Sequence, residues 1–348
     1  MKYRGIVYDV GLRFTANNPY SVAHFDSELV SYDINTIATT LHANAIRIEG
    51  EEIERLLTAS RIAHAAGLTI FFNPWKMNVP IADLPAYFAQ AASAAEQLRG
   101  EGANIVFVAG CEMSLFNEGI LAGSTVIERV QGLIELGAAT GSKGGELQRA
   151  KATMLNDALA KIVDEVRRTF KGAVTYSAGM WEMVDWDPFD TVGIDHYRSS
   201  ESVQEYVGAL DRYRLNKPLV VMEVGSCAYE GAGKLGAGGF MRLQGTNPDG
   251  TGIYTDGIIP TRSEREQADY VEEQLELLND AGVDGVFIYV FSFPTYRYGE
   301  GARDLDMMSF SLVKTYPEGH PKSRQMPPWE PKEAFDRIAD IYLKLASR

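Results

Sequence analysis

The sequence predicts a (β/α)8 barrel of the α/β class. Three observations carry that prediction: eight short β-branched or aromatic runs, amphipathic stretches of helical length between them, and glycines that end those stretches just before the next run. Alternation of this kind builds a parallel sheet, because parallel neighbours need a long crossover and a helix supplies it. Eight strands with eight connections close the sheet on itself. A doubly wound open sheet is the alternative, but no Gly-rich phosphate turn follows the first strand to support it.

The eight runs are Gly5 to Asp9, Ala45 to Ile48, Thr69 to Asn73, Ile105 to Ala109, Ala173 to Ser177, Thr191 to Asp195, Leu219 to Met222 and Gly285 to Tyr289. Helical periodicity occupies Glu51 to Ala66, Leu84 to Gly100, Arg149 to Thr169, Ser202 to Arg214 and Arg265 to Ala281. A last helix is expected over Pro331 to Leu345, with Pro331 in its first turn, where a missing N–H is harmless. The pairs Ala66-Gly67, Glu101-Gly102 and Ala281-Gly282 supply the left-handed residue that turns a helix end toward a strand. Barrels of this class run past 250 residues as one unit, so all 348 residues are expected in one domain, residues 1–348, with long loops.

Those loops fall on one face. Ser114 to Gly145 follows the fourth run, Ser226 to Ser263 the seventh and Ser292 to Trp329 the eighth, all on the side where barrel enzymes build their sites. The second is glycine-rich, which suits a mobile lid or a tightly packed binding loop. Such loops predict a partly enclosed pocket and a short or terminal substrate.

Composition removes other classes. The formal net charge of -14 repels phosphate backbones and no Lys/Arg block offsets it locally, so nucleic acid is a poor partner. No apolar run spans a bilayer. Met1-Lys2-Tyr3-Arg4 runs directly into an apolar strand without a signal peptide, so a cytoplasmic location is expected, with Cys111 and Cys227 as free thiols. His24, His42, His64, His196 and His320 show no paired metal-ligand spacing, and neither metal nor cofactor is expected. Nothing in the outer helices indicates an oligomeric state.

Two glutamates stand where strands run out into loops: Glu112 in Val106-Phe107-Val108-Ala109-Gly110-Cys111-Glu112-Met113, and Glu223 after Leu219 to Met222. An unpaired carboxylate is expensive to bury in a strand, so each needs a partner or a function there. Two carboxylates across one mouth divide acid and base work when repulsion and unequal burial push their pKa values apart. A separation of about 5 to 5.5 Å would suit a retaining glycosidase. The bland alternative is a structural ion pair with Arg47, which is equally suited to Glu49 or Asp9.

On these residues the sequence resembles the retaining glycoside hydrolases of clan A, which include cellulases, mannanases and galactanases. The resemblance implies Glu112 as acid/base and Glu223 as nucleophile. It extends to Arg47 in Ile46-Arg47-Ile48, Tyr197 in Asp195-His196-Tyr197, and a C-terminal pattern of Ser311-Leu312-Val313-Lys314 followed by Pro331-Lys332-Glu333-Ala334-Phe335. Arg47 would hold the nucleophile ionised and Tyr197 would aim it. Asn73 and His196 are candidates for sugar hydroxyls, and Trp75 and Trp181 for the apolar faces of sugar rings. Glu182 reads as an exposed loop acid before it reads as a third site carboxylate, and Asn117-Glu118 stands too far past its strand to serve.

The departures are specific. Clan A places an asparagine before the acid/base, where this chain has Cys111, a poor hydrogen-bond partner. The eighth strand lacks the clan's tryptophan and reads Ile288-Tyr289-Val290-Phe291. They leave open a catalytically silent barrel that binds carbohydrate or a protein, or a lyase or isomerase with a glutamate base.

Overall fold

The computed structural model describes residues 1–15, 18–138 and 141–347, and eight parallel strands close into a barrel within it. The strands are β1 (Tyr3–Asp9), β2 (Ala45–Gly50), β3 (Thr69–Pro74), β4 (Ile105–Cys111), β5 (Ala173–Gly179), β6 (Val192–Asp195), β7 (Leu219–Val224) and β8 (Gly285–Ile288). Each pairs with the next, and β8 returns to β1 with Tyr3 opposite Gly285. Helices cover the outside: α1 (Ser27–Thr39), α2 (Ile53–Ala65), α3 (Leu84–Gly100), α4 (Met113–Phe116), α5 (Val126–Ala138), α6 (Gly141–Thr169), α7 (Val203–Gly208), α8 (Glu264–Asp280) and α9 (Glu333–Ala346).

The two-residue period of a strand sorts the barrel into an inner and an outer set. Outward residues such as Ile6, Ile46, Ile48, Ile70, Phe72, Phe107 and Val221 join the helices in one large core. Inward residues Val7, Ala45, Phe71, Val106, Val108, Val220, Met222 and Phe287 fill the barrel itself. Space there is tight: a Cβ on Gly5 would lie 2.2 Å from the Phe287 ring, so a side chain at Gly5 and that ring exclude each other. One step further toward the strand ends, the inward positions turn polar.

Several elements depart from the sequence expectation. The helix expected over Ser202 to Arg214 is only α7; Ser202 and Glu205 cap its start reciprocally, and it stops at Gly208 before a 3₁₀ turn at Asp211–Tyr213. The helix expected from Arg149 begins at Gly141, and the insertion before it carries α4 and α5. Pro331 is not in the first turn of α9. It ends a short strand, Trp329–Pro331, that pairs antiparallel with Val313–Thr315, and α9 starts at Glu333.

The glycine-rich segment after β7 is packed, with 3₁₀ turns and a hairpin of Leu243–Thr246 and Gly252–Tyr254. Cys227, Tyr229 and Tyr254 from it bury against Met307 and Met308 of the segment after β8. Arg262 fastens the same two segments through Asp304 and Asp306, each at 2.9 Å, and buried Lys332 reaches Asp306 at 2.9 Å. No described helix is long and apolar enough to cross a membrane.

Candidate active site

Arg47 is the centre of the polar layer. Ile46 and Ile48 face the helices, so the residue between them points inward, where its side chain is wholly buried. Its Nη2 lies 2.9 Å from Glu223 Oε1, its Nε donates to Asn73 Oδ1 at 2.8 Å, and its Nη1 donates to the Met222 carbonyl at 3.0 Å and to Ser177 Oγ at 3.2 Å. Burial opposes the charge, but Glu223, Cys111, Glu49 and Asp195 outweigh it and hold the guanidinium protonated well beyond its ordinary range.

Glu223, at the end of β7, is therefore held at both oxygens, since the Tyr197 hydroxyl donates to Oε2 at 2.9 Å. Strand pairing sets Asp195 of β6 beside Glu223, and Ser177 Oγ donates to Asp195 Oδ1 at 2.6 Å. Burial and the neighbouring Glu223 raise the Asp195 pKa well above the carboxylate range. Asn73 spends its amide oxygen on Arg47, so it positions the arginine.

On the β1 and β2 side, Asp9, Glu49 and Asn73 stand in register at three adjacent strand ends. Glu49 Oε2 is 3.2 Å from Arg47 Nη2 but off its N–H direction, and neither Glu49 oxygen has a hydrogen-bond partner among the described residues. Burial, assisted by Glu223 and Asp9, pushes Glu49 well up; burial lifts Asp9 to about 6.

Glu112 is held differently from Glu223. It follows a register shift in β4, adopts a left-handed backbone (φ 41°, ψ 44°) and starts α4. The residue is half-buried, and its carboxylate makes no hydrogen bond among the described residues. Desolvation, then Asp195, Glu223 and Glu182, raise its pKa well above the ordinary value.

Glu182 is not the exposed acid that its loop position suggested. Its side chain is buried and accepts from Ser114 Oγ at 2.6 Å, Ser114 N at 3.0 Å, Tyr176 Oη at 2.9 Å and Gly179 N at 3.2 Å. Burial outweighs these bonds and lifts it to about 7. Tyr176 Oη also accepts from Met113 N at 2.7 Å, so Glu182 and Tyr176 together clamp the turn that presents Glu112. Asn117, at the end of that turn, is buried and tied to the Lys76 and Val79 carbonyls.

The remaining candidates separate. Trp75 is buried, edge-on to Phe116 and 5.9 Å from the Arg47 guanidinium carbon, with its Nε1 unpartnered among the described residues. Trp181 is 37% exposed and donates to Ser114 Oγ at 3.0 Å. His196 stacks on Tyr206 of α7 with ring centroids 4.0 Å apart and bonds the Tyr206 carbonyl at 3.0 Å; burial lowers its pKa to about 4. That ring packs with α7, apart from the hydrogen-bond network around Arg47.

Cys111, where clan A has asparagine, sits 3.3 Å from Arg47 Nη2, 3.7 Å from Glu223 Oε1 and 3.8 Å from Asp195 Oδ2. Cys227 lies in the other cluster, against the Met308 carbonyl, and both thiols are free. Cys111, Asp195 and Glu223 bring one donor atom each within 4.8 Å, close enough to hold a metal ion. Arg47 lies within 4 Å of all three, so a divalent cation would meet a buried guanidinium.

Sequence reasoning passed over Asp195 and Ser177. Asp195 was legible only as part of Asp195-His196-Tyr197; a carboxylate ending an apolar strand was the signal. Two cavities flank the network. One of about 600 Å³ lies between the segments following β1 and β8, bounded by Asp9, Tyr20, His24, Arg297, Tyr316 and Trp329. One of about 270 Å³ lies beyond β4 and β5, beside Ser114 and Glu182. In a ring of eight these pairs of strands are diametrically opposed.

No known family model matches the sequence, and no curated protein matches it. Solved structures do. A GH113 β-1,4-mannanase complex aligns with TM-score 0.61 and 13% identity over 99% of both chains. The GH113 β-mannanase AaManA from Alicyclobacillus acidocaldarius, in complex with ManMIm, aligns with TM-score 0.57 and 15% identity over 99% of this chain and 97% of that one. A β-glucuronidase from an uncultured Clostridium sp. aligns with TM-score 0.56 and 13% identity, covering 99% of this chain and 50% of that one. The fold is therefore a (β/α)8 barrel, which these solved structures share.

Proposed function

We propose that this chain is a retaining glycoside hydrolase, or a transglycosylating relative, built as one barrel domain. The observation that carries the reading is the contrast between the two glutamates. Glu223 is fixed by Arg47 and Tyr197 through both oxygens, whereas Glu112 has no hydrogen-bonded partner among the described residues and is biased toward its protonated form. A fixed carboxylate beside a guanidinium suits a nucleophile; a free carboxyl with a raised pKa suits a general acid.

In the first step a Glu223 oxygen bonds the anomeric carbon as the bond from that carbon to the leaving oxygen breaks. Glu112 gives its proton to that oxygen, and an alcohol departs. In the second, Glu112 as carboxylate takes a proton from water or another acceptor hydroxyl, whose oxygen displaces Glu223 from the anomeric carbon. Arg47 remains charged throughout, and Asn73, Ser177 and the Met222 carbonyl hold it in place. The similar mannanases and glucuronidase act on glycosides, which supports this class of substrate. No metal or cofactor takes part in these steps.

Cys111 favours one other reading, a barrel that binds sugar without cleaving it, because a thiol replaces an amide that would contact the sugar 2-hydroxyl. Incubation with activated aryl glycosides and 2-fluoro glycosides, followed by intact mass and peptide mapping, decides between them. A glycosyl adduct on Glu223, absent in Glu223→Gln, is the expected result. Neither adduct nor turnover, with sugar binding retained in Glu112→Gln and Glu223→Gln, would leave the silent barrel.

A further inference from the structure

Four buried polar atoms on the β1 to β3 side of the mouth have no hydrogen-bond partner among the described residues: Asp9 Oδ2, both oxygens of Glu49, and Trp75 Nε1. Asp9 and Glu49 end adjacent strands in register, and Asn73, the next residue in that row, spends its amide oxygen on Arg47. Asp9 uses only Oδ1, which accepts from Gly11 N at 2.7 Å. The Tyr289 hydroxyl eases the burial of Glu49 without hydrogen-bond geometry to either oxygen. Trp75 is 4% exposed and packs with Cys111, which lies 3.7 Å from Glu223 Oε1. An unpaired buried donor or acceptor costs its full desolvation, and here several are kept side by side.

Their position is beside the nucleophile. Glu49 and Glu223 approach the same nitrogen of Arg47, at 3.2 Å and 2.9 Å, so a sugar bonded to Glu223 has its ring within reach of Glu49. The row is open at its ends: Asp9 lines the cavity of about 600 Å³, and Glu112 and Tyr197 across the mouth are half-buried.

Their chemistry narrows the occupant. The two carboxyl groups offer acceptors, whereas the indole N–H only donates. A hydroxyl answers both, because it donates and accepts. An ammonium has no lone pair for Trp75, and a carboxylate has no proton for Asp9 or Glu49. A carboxylate also meets no free cation in this row, since Arg47 is engaged by Glu223.

Resting on the glycosidase reading, we propose that Asp9, Glu49 and Trp75 are specificity-determining residues that bind ring hydroxyls of the sugar held at Glu223, so that the substrate is a neutral glycoside with those hydroxyls unsubstituted. Asp9 and Glu49 accept from the hydroxyls, and Trp75 Nε1 donates to a hydroxyl oxygen.

The test takes the 4-nitrophenyl mannoside, glucoside or galactoside that is turned over best and compares it with its monodeoxy analogues and with 4-nitrophenyl glucuronide. In wild type, loss of at least one ring hydroxyl should lower kcat/KM by about 10²-fold or more, and the glucuronide should be the poorer substrate by at least as much. Glu49→Gln and Trp75→Phe should each lower turnover of the parent hexoside, and each should cost nothing further on the analogue that lacks its own hydroxyl partner. Equal losses on the parent and on every analogue would make both residues merely structural and overturn the assignment. Wild-type turnover indifferent to deoxygenation, or faster on the glucuronide, would overturn it without any variant and keep the glycosidase. If no hexoside is turned over, calorimetry with the same compounds decides: binding that requires particular hydroxyls keeps the site and removes the glycosidase reading, and absence of binding removes both.

Discussion

Arg47 Nη2 and Glu223 Oε1 lie 2.9 Å apart although β1 and β8 separate their strands in the ring. The arginine side chain crosses the barrel mouth, and it does so wholly buried. A charge in that position is tolerable only while its partners stay. Replacing Arg47 with Met should leave Glu223, Glu49 and Asp195 as buried acids without a counter-charge, costing about 3–5 kcal/mol. Chemical denaturation of Arg47→Met against wild type measures it; a loss below about 1 kcal/mol would mean that the acids are already neutral.

The two glutamates should fail differently. Glu112→Gln removes the proton donor, so turnover of substrates with basic leaving groups should fall by roughly 10²–10⁴-fold. Activated aryl glycosides, which depart without a proton, should still load Glu223 and accumulate the intermediate. Glu223→Gln should abolish adduct formation with every leaving group. Equal losses on both substrate types in Glu112→Gln would remove it as the acid.

Glu182 acts through Ser114 on the turn that carries Glu112. Glu182→Gln keeps the size but replaces one acceptor oxygen by a donor, which conflicts with either the Ser114 or the Gly179 N–H group. It also removes a neighbouring acid that helps raise Glu112. The alkaline limb of the kcat/KM profile should move to lower pH and kcat should fall about tenfold with KM little changed. An unaltered profile would restrict Glu182 to holding the loop.

Stability should fall as pH rises through the neutral range. Burial lifts Asp33 to about 7, Glu182 to about 7 and Asp9 to about 6, so the native state keeps protons that the unfolded chain releases above about 4. More protons bound in the native state means that the contribution of these three acids is lost between about pH 4 and 7. His196, lowered to about 4, works the other way between 6.5 and 4, but one imidazole opposes several carboxyls. The melting temperature should be several degrees higher at pH 5.5 than at pH 8.5. Asp33→Asn, which removes the acid that receives Tyr8 and Trp329, should shrink that difference.

Both thiols should be silent. Burial pushes Cys111 and Cys227 well above the ordinary thiol range, so iodoacetamide should label neither in the native protein and both in denaturant. Native labelling of Cys111 would require the mouth to open.

The sequence by itself determined the strand order, the barrel and the places of Glu112, Glu223, Arg47 and Tyr197, because a period of two, helix-length spacing and a charge ending an apolar run are local properties. The three-dimensional structure decided what those residues do to one another. Asn73 holds Arg47 in place of a ligand, His196 packs with α7, Glu182 is a buried clamp, and Asp195 joins the centre unannounced. Each outcome depends on side chains from strands or loops tens to hundreds of residues apart, such as Arg47 and Met222, and on how much water their packing excludes. Neither distance nor burial is written in the spacing of one chain, and here they divide two similar glutamates: Glu223 is held through both oxygens by Arg47 and Tyr197, and Glu112 has no hydrogen-bond partner among the described residues.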